Sequence, residues 1–275
     1  MNISAIFVYV ALILIVIGVG FYLFVWPKLS KNIIREKKFD TAWDEILHKR
    51  LPIYHKLLKK QKQHLQDLMK VFLHQKDFIG CAGQDITEEI KVVIAAQACL
   101  LLLNRTTSEY QDLTTIYVYP TSFKATREVR DELGLVSTES NHLLGESWST
   151  GKVILAWDNV EKGIRNFTDG HNVVIHEFAH QLDQESGTTN GAPILSTRAA
   201  YKSWAYVFGK EFEILQKNKY KNNNVINEYG ATNPAEFFAV ASETFFEEPH
   251  KLYKNHKALF EELQAYYQLD PRDWT

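Results

Sequence analysis

One short stretch of the chain has the residue types and the spacing of a metal site, VIHEFAHQLD at residues 174–183. It contains the pattern H-E-x-x-H, formed by His176, Glu177 and His180. On a helix these two histidines lie one turn apart on the same face, so both imidazoles can reach one metal ion. Catalytic zinc sites take three protein ligands and leave a fourth position for water. The stretch therefore indicates a zinc site that requires one further ligand from elsewhere in the chain.

Two carboxylates further along the chain are candidates for the third ligand. The stretch EYGATNPAEFFAVASETFFEE places Glu236 and Glu243 two turns apart on one face of a predicted helix. Its phenylalanines would pack that helix into the core, where a buried carboxylate requires a partner such as a zinc ion. Spacing alone does not choose between the two glutamates. Because metal-bound imidazoles usually donate their second N–H to an oxygen, Glu243 or Asp183 could be that acceptor.

The elements that must position these residues are mostly helical. Two β-branched, apolar segments, residues 114–120 and 151–158, are predicted strands, and residues 134–146 are predicted to form turns and a loop. The chain has many predicted helices and few strands, and the two do not alternate, which indicates an α+β domain with a small sheet. The predicted helices, based on the spacing of apolar residues and on capping residues, cover residues 39–78, 85–105, 172–184, 199–216, 233–247 and 252–267.

The N-terminal segment differs from the rest of the chain. Residues 3–26 are apolar and carry no charge, and about 20 such residues span a bilayer as a helix. A secretory signal peptide has basic residues before its apolar core and a small-residue cleavage site after it, and the sequence shows neither. We therefore expect an uncleaved, single-pass transmembrane helix. Basic residues flank only its C-terminal side, so the rest of the chain is expected on the cytoplasmic face of the cytoplasmic (inner) membrane.

Composition limits the classes of partner. The formal net charge of −2 gives no electrostatic reason to expect a nucleic acid. Cys81 and Cys99 match no zinc-finger or redox spacing and are expected to be buried free thiols. The expected organisation is an anchor over residues 1–27 and a domain over residues 28–275, divided into a helical portion, 28–110, and a portion with the strands and the metal site, 111–275.

The motif residues also carry a family resemblance. HEFAHQLD followed by EYGATNPAEFFAVASETFF closely resembles the MtfA-type zinc peptidases of the Glu-zincin class. The segments EEIKVVIAAQACLLLL, IYVYPTSF and SWSTGKVILAWDNV extend the match, so that it covers residues 72–267. The order of H-E-x-x-H, tyrosine and AEFFA helix is also similar to the catalytic domain of anthrax lethal factor. The apolar N-terminal segment is not part of this pattern and departs from the soluble members of the family.

The resemblance implies a zincin-like metallopeptidase fold with one Zn²⁺ per chain. Carried over position by position, it makes His176, His180 and Glu236 the zinc ligands. It makes Glu177 the general base that takes a proton from a metal-activated water, and Tyr229 the donor that stabilises the oxyanion. The expected function is zinc-dependent hydrolysis of peptide bonds in a peptide or protein substrate.

The resemblance assigns two supporting roles as well. Glu243 is implied to orient a ligand histidine. Zincins bind an extended substrate along an edge strand, and the strand before the motif helix, with Val153, Ile154 and Leu155, is expected to do so. The alternative function is a zinc-containing regulatory binding protein with little or no peptidase activity. The intact Glu177 argues against that alternative, because pure binding would not need a general base.

Overall fold

The computed structural model of the chain consists of two compact units, Met1–Phe39 and Asp40–Thr275. In residues 123–130, 136–143 and 145–148 it describes the backbone alone. The residues that the structure describes are 3–105, 110–130, 136–143, 145–148, 151–218 and 224–274.

The first unit is helical. Helix α1 (Ile3–Gly20) continues through a π-helical turn (Phe21–Val25) into helix α2 (Trp26–Glu36). Within it, the 25 residues Leu12–Glu36 are long and apolar enough to cross a membrane. This length and composition fit a membrane span or a signal sequence.

The second unit begins with helices α3 (Thr41–Arg50), α4 (Pro52–Lys56) and α5 (Lys59–Gln75). These three helices confirm the helical segment predicted over residues 39–78, but the last of them ends at Gln75. Strand β1 (Asp77–Gly80) follows α5, and the sequence does not predict it. The reason is that its four side chains are all exposed or half-exposed, so no apolar alternation marks it. Helix α6 (Glu88–Leu100) then crosses the core, with the Thr87 hydroxyl capping its first turn.

The sheet around which the helices pack has four strands in the order β1-β2-β6-β5. Strands β1, β2 (Thr115–Tyr119) and β6 (Lys152–Ala156) are parallel, and β5 (Gly145–Trp148) runs antiparallel to β6. Strands β3 (Phe123–Arg130) and β4 (Val136–Leu143) form a separate antiparallel pair. The mostly helical class with a small sheet is confirmed, whereas the prediction of turns and loop between residues 134 and 146 is wrong for β4.

The expected edge strand is not at an edge. Val153, Ile154 and Leu155 lie in β6, and both sides of β6 are paired. Val153, for example, lies between Ile116 of β2 and Ser147 of β5. A strand that is paired on both sides has no row of backbone groups left for a substrate. Among the strands that the structure describes, β5 is the outer one on that side of the sheet.

The C-terminal half supplies the helices that carry the motif. The strand predicted over residues 151–158 ends early because a helix begins at Trp157, and the helix predicted over residues 252–267 is divided in two at His256. Cys99 is buried and Cys81 half-buried, and both are free thiols. The helices are α7 (Trp157–Arg165), α8 (Val173–Gln184), α9 (Arg198–Lys217), α10 (Pro234–Glu247), α11 (Pro249–Asn255) and α12 (Lys257–Tyr267), with 3₁₀ turns at Glu228–Ala231 and Pro271–Trp274.

Candidate metal centre

Helix α8 carries the H-E-x-x-H pattern and begins where local chemistry dictates. The side-chain oxygen of Asn172 accepts hydrogen bonds from the N–H groups of Val174 and Ile175, both at 3.1 Å. Asn172 is therefore the N-cap of α8. The apolar face of the helix is buried, and α8 lies against α10. The packing fixes the direction in which His176 and His180 project.

Helix α10 brings the candidate carboxylates to the same place. Pro234 occupies its first turn, and the Asn233 side chain accepts from the Glu236 N–H at 3.0 Å. Residues 235 and 237–247 are buried, including Phe237 and Phe238. Because the aromatic residues fix this helix in the core, Glu236 in its first turn is held against α8.

Three ligand atoms from these two helices form a small triangle. His176 Nε2 lies 3.0 Å from Glu236 Oε2 and 3.2 Å from His180 Nε2. The third side, from His180 Nε2 to Glu236 Oε2, is 3.4 Å. Ligand atoms about 2.1 Å from a tetrahedral zinc ion lie roughly 3.4 Å apart. The three atoms therefore have the separations of one face of a tetrahedral site, and two imidazoles with one carboxylate are a catalytic zinc donor set.

The electrostatics of the triangle also favour a cation. Burial lowers the pKa of His176, but hydrogen bonds to Glu236 and Glu243 outweigh it and hold that pKa well above its usual range. Burial lowers the pKa of His180. Burial raises the pKa of Glu236, yet the hydrogen bonds with His176 and His180 bring it down to about 2. The carboxylate is thus negative where the two imidazole nitrogens converge, which is what a metal ion requires.

Of the two residues predicted to orient a ligand histidine, Glu243 contacts one and Asp183 does not. Glu243 Oε1 lies 2.7 Å from His176 Nδ1, on the side of the ring away from Glu236. Asp183 does not orient a histidine: its Oδ2 accepts from the Gly191 N–H at 2.7 Å. The buried Nδ1 of His180 has no hydrogen-bond partner in the described part of the chain. Asp183 lies almost a full turn beyond His180 on α8, which directs its carboxylate toward the loop after the helix.

Glu177 and Tyr229 border the same site. Glu177 is 3% exposed and follows His176 on α8. The ring of Tyr229 lies 5.9 Å from that of His176, and about half of its side chain faces solvent. Burial of the hydroxyl and the nearby charges of Glu236, Glu177 and Glu243 raise the pKa of Tyr229 to about 12. The phenol therefore keeps its proton at neutral pH and can donate a hydrogen bond.

A buried polar network behind His176 is not predicted from the sequence. Asn172, Gln97 and Glu247 are at most 2% exposed, and the Asn172 amide donates hydrogen bonds to the other two. Two features of the sequence could have indicated Gln97 and Glu247. Gln97 is the one amide in the apolar run of residues 92–103, and Glu247 stands one turn after Glu243 on α10.

Comparison with known proteins agrees with this geometry. Residues 26–268 match the family described as glucose-regulated metallo-peptidase M90. The chain is 41% identical over 249 residues to the uncharacterized protein slr2042 of Synechocystis, and the match covers 90% of each chain. It is 29% identical over 250 residues to Mlc titration factor A of Salmonella arizonae, covering 90% of this chain and 97% of that protein. Mlc titration factor A of Klebsiella pneumoniae is 28% identical over 253 residues, with 90% and 93% covered.

These matches confirm the resemblance to the MtfA-type peptidases. They extend over nearly the whole of the second unit and include every residue of the triangle. A match of this extent to the family, together with a relative above 40% identity, decides the classification. The chain belongs to the glucose-regulated metallo-peptidase family M90.

Proposed function

We propose that this protein is a zinc-dependent peptidase that hydrolyses peptide bonds by activating a water molecule. The observation that carries the proposal is the triangle of His176, His180 and Glu236, whose sides of 3.0, 3.2 and 3.4 Å suit a tetrahedral zinc ion. Membership of a metallopeptidase family supports the same reaction class. One zinc ion per chain is expected.

The chain's own groups supply proton transfer and oxyanion binding. A zinc ion, when bound, supplies Lewis acidity, which polarises a carbonyl and brings the pKa of water toward about 7. Glu177 accepts the proton of the attacking water and returns it to the leaving amine. The Tyr229 hydroxyl, protonated at neutral pH, donates to the developing oxyanion. Glu243 fixes the ring of His176 through Nδ1, which leaves Nε2 for the metal.

The substrate is expected to bind along β5 in place of β6. Strand β5 contacts α8, and among the described strands it is paired on one side only, with β6. An extended peptide that added to its outer side would form main-chain hydrogen bonds beside the metal triangle. Pairing of this kind depends on backbone groups and therefore gives affinity without strong sequence choice. A peptide or protein segment is thus the expected substrate.

A regulatory binding protein is the second candidate function. The relatives named Mlc titration factor A carry a name that refers to the titration of Mlc, and this favours a regulatory role through binding. Such a role would not need Glu177, which is retained beside the metal triangle. The two functions can coexist in one chain, and loss of Glu177 separates them, because binding would persist while hydrolysis would stop.

The expected location is the cytoplasmic membrane, with the metal-bearing unit in the cytoplasm. Support comes from the helix Leu12–Glu36, whose length and apolar composition suit a span. The basic residues that follow the apolar run favour the cytoplasmic side for the rest of the chain. No nucleic acid partner is expected, given the net charge of −2.

The experiment that tests the function uses the full chain in detergent. Zinc content and cleavage of a mixed peptide library would be measured for the wild type, Glu177→Gln and Glu236→Ala. Glu213→Gln is the matched control, since Glu213 is an exposed carboxylate on α9. We expect Glu177→Gln to keep zinc and lose about 100-fold or more of its activity. Glu236→Ala should lose zinc. Unchanged cleavage in Glu177→Gln would overturn the mechanism.

A further inference from the structure

We propose that Asn172, together with Glu247 and Gln97, forms a positioning network that holds Glu243, and through it the ring of His176, in the geometry of the metal site. This inference rests on the proposed function. It concerns residues that do not touch the metal triangle. Gln97 comes from α6, Asn172 precedes α8, and Glu247 ends α10. The network therefore joins the two helices that carry the triangle to a third helix of the core.

Asn172 forms hydrogen bonds through both its backbone and its side chain. Its backbone N–H donates to Glu243 Oε2 at 2.6 Å. Its amide Nδ2 donates to Gln97 Oε1 at 2.8 Å and to Glu247 Oε1 at 3.0 Å. Its amide oxygen accepts hydrogen bonds from the N–H groups of Val174 and Ile175, in the first turn of α8. One residue thus caps the motif helix and contacts the carboxylate that holds His176.

The hydrogen bonds place Glu243 between two fixed points. One of its oxygens faces His176 Nδ1 and the other accepts from the Asn172 N–H. Both contacts are short, at 2.7 and 2.6 Å, and Glu243 is only 6% exposed. A shift of Asn172 would move this carboxylate and turn the imidazole that it contacts. Such outer partners of a ligand histidine are typically worth 10-fold to 100-fold in metal affinity.

Asn172 also donates hydrogen bonds to two buried acidic side chains of α10. Glu243 and Glu247 lie one turn apart on α10, and burial together with the nearby charge of Glu243 raises the pKa of Glu247 to about 8. Asn172 donates its N–H to the first and its amide N–H to the second. The second oxygen of Glu247 accepts from the His171 N–H at 3.0 Å. Each carboxylate therefore has a donor from the segment before α8, and this segment is anchored against α10.

The site is shaped for an asparagine. The position requires one acceptor for the N-cap and two donors for Gln97 and Glu247, and a primary amide is the side chain that supplies them. Aspartate would keep the cap but place a carboxylate against Glu247. A Cβ added at Gly163 of α7 would lie 3.2 Å from the Asn172 Cγ, so the backbone of α7 closes the space beside the amide. The amide is thus confined from three directions.

The test is a polarity swap in the full chain in detergent. The variants are Asn172→Asp, the double variant Asn172→Asp with Glu247→Gln, and Asn255→Asp as the control for an added charge at an exposed asparagine. In the double variant, the amide introduced at position 247 donates to the carboxylate introduced at position 172, so the hydrogen bond returns with its direction reversed. The measurements are the zinc dissociation constant by chelator competition, the visible spectrum of the Co²⁺-loaded protein, and kcat and KM for peptide cleavage.

We expect Asn172→Asp to raise the zinc dissociation constant about 10-fold or more and to alter the Co²⁺ spectrum. Its kcat should fall while KM changes little, and the double variant should recover most of each loss. A zinc affinity within threefold of wild type and an unchanged spectrum in Asn172→Asp would overturn the inference. So would a double variant no better than the single one. If Asn172→Asp does not fold, Gln97→Leu replaces it, and wild-type zinc affinity in that variant overturns the proposal.

The measurements keep this inference apart from the proposed function. Zinc affinity and the Co²⁺ spectrum require no turnover, so they decide the role of Asn172 even if no peptide is cleaved. A wild-type protein that binds zinc and cleaves no peptide would contradict the peptidase proposal alone. A wild-type peptidase whose zinc affinity is indifferent to Asn172→Asp would contradict the positioning network alone.

Discussion

The Nδ1 atom of His176 lies 2.7 Å from Oε1 of Glu243, while its Nε2 atom lies 3.0 Å from Oε2 of Glu236. One imidazole thus stands between two carboxylates of the same helix. The carboxylate on the Nε2 side also faces His180, whereas the carboxylate on the Nδ1 side faces the N-cap residue of α8. This arrangement gives the two glutamates different tasks, which substitutions can separate.

Amide substitution should distinguish Glu236 from Glu243. We expect Glu236→Gln to lose stoichiometric zinc, because it removes the anionic member of the triangle. Glu243→Gln should keep zinc with an affinity about 10-fold to 100-fold lower, because only the partner of His176 Nδ1 changes. Chelator competition measures both. A greater loss of zinc in Glu243→Gln than in Glu236→Gln would reverse the two assignments.

Removal of the Tyr229 hydroxyl should affect the transition state alone. We expect Tyr229→Phe to lower kcat about 100-fold, which corresponds to about 3 kcal/mol for one oxyanion donor, with KM and zinc content little changed. Tyr206→Phe, at a tyrosine that is 73% exposed on α9, is the control. Steady-state kinetics on a cleaved peptide provide the measurement. If Tyr229→Phe retains full kcat, the phenol has no role in catalysis.

Gly191 should be required for the packing of the loop that follows α8. Its φ is +78°, and an added Cβ would lie 2.3 Å from the carbonyl oxygen of Pro234, at the start of α10. Its N–H and carbonyl are held by Asp183 and Trp204. We expect Gly191→Ala to lower the free energy of unfolding by about 2 kcal/mol or more, because backbone strain and a clash add together.

Gly187 provides the matched control for this loop. Its φ of +88° is also in the left-handed region, but no atom lies within 4 Å of an added Cβ. Gly187→Ala should therefore show only the backbone strain, about 1 kcal/mol. Urea denaturation of both variants in detergent measures the difference. Equal effects of the two substitutions would show that the contact with Pro234 does not matter.

Asp183 should make stability depend on pH in a definite direction. Burial raises its pKa to about 6, against opposing N–H groups of the loop. The folded state then binds a proton that the unfolded state, with a pKa of about 3.9, has released. Stability from this group is present below that unfolded pKa and is lost as pH rises through about 6, with a slope of at most about 1.4 kcal/mol per pH unit.

Asp183→Asn should remove this dependence. We expect the difference in unfolding free energy between wild type and Asp183→Asn to shift against the wild type from pH 4 to pH 7. Urea denaturation of both proteins in metal-free buffer measures it and keeps zinc loss out of the comparison. A difference that is constant over this range, or one that favours the wild type at higher pH, would contradict the assignment of the shift to Asp183.

The orientation of the chain in the membrane can be tested by protease access. Because basic residues follow the apolar run, we expect the unit Asp40–Thr275 to be protected in intact spheroplasts. It should be digested only after the membrane is opened with detergent. A periplasmic protein that is digested from outside serves as the control for protease activity. Digestion of the metal-bearing unit in intact spheroplasts would contradict the predicted orientation.

The sequence by itself determines the two helices that carry the triangle. Asn172 and the pair Asn233–Pro234 mark the starts of α8 and α10, where the structure has them. The spacing of His176 and His180 also places both imidazoles on one face. These features depend on local rules, namely capping, helical periodicity and the constraint of proline, which act over a few neighbouring residues.

Only the tertiary structure decides which atoms meet. Glu236 and Glu243 share one face of α10, and the packing of α8 against it determines which carboxylate meets Nε2 of His176 and which meets Nδ1. The outer position of β5 and the contact of Gln97 with Asn172 likewise depend on segments far apart in the chain. Pairing and burial between distant segments leave no periodic trace in the local sequence, so they are fixed only when the core forms.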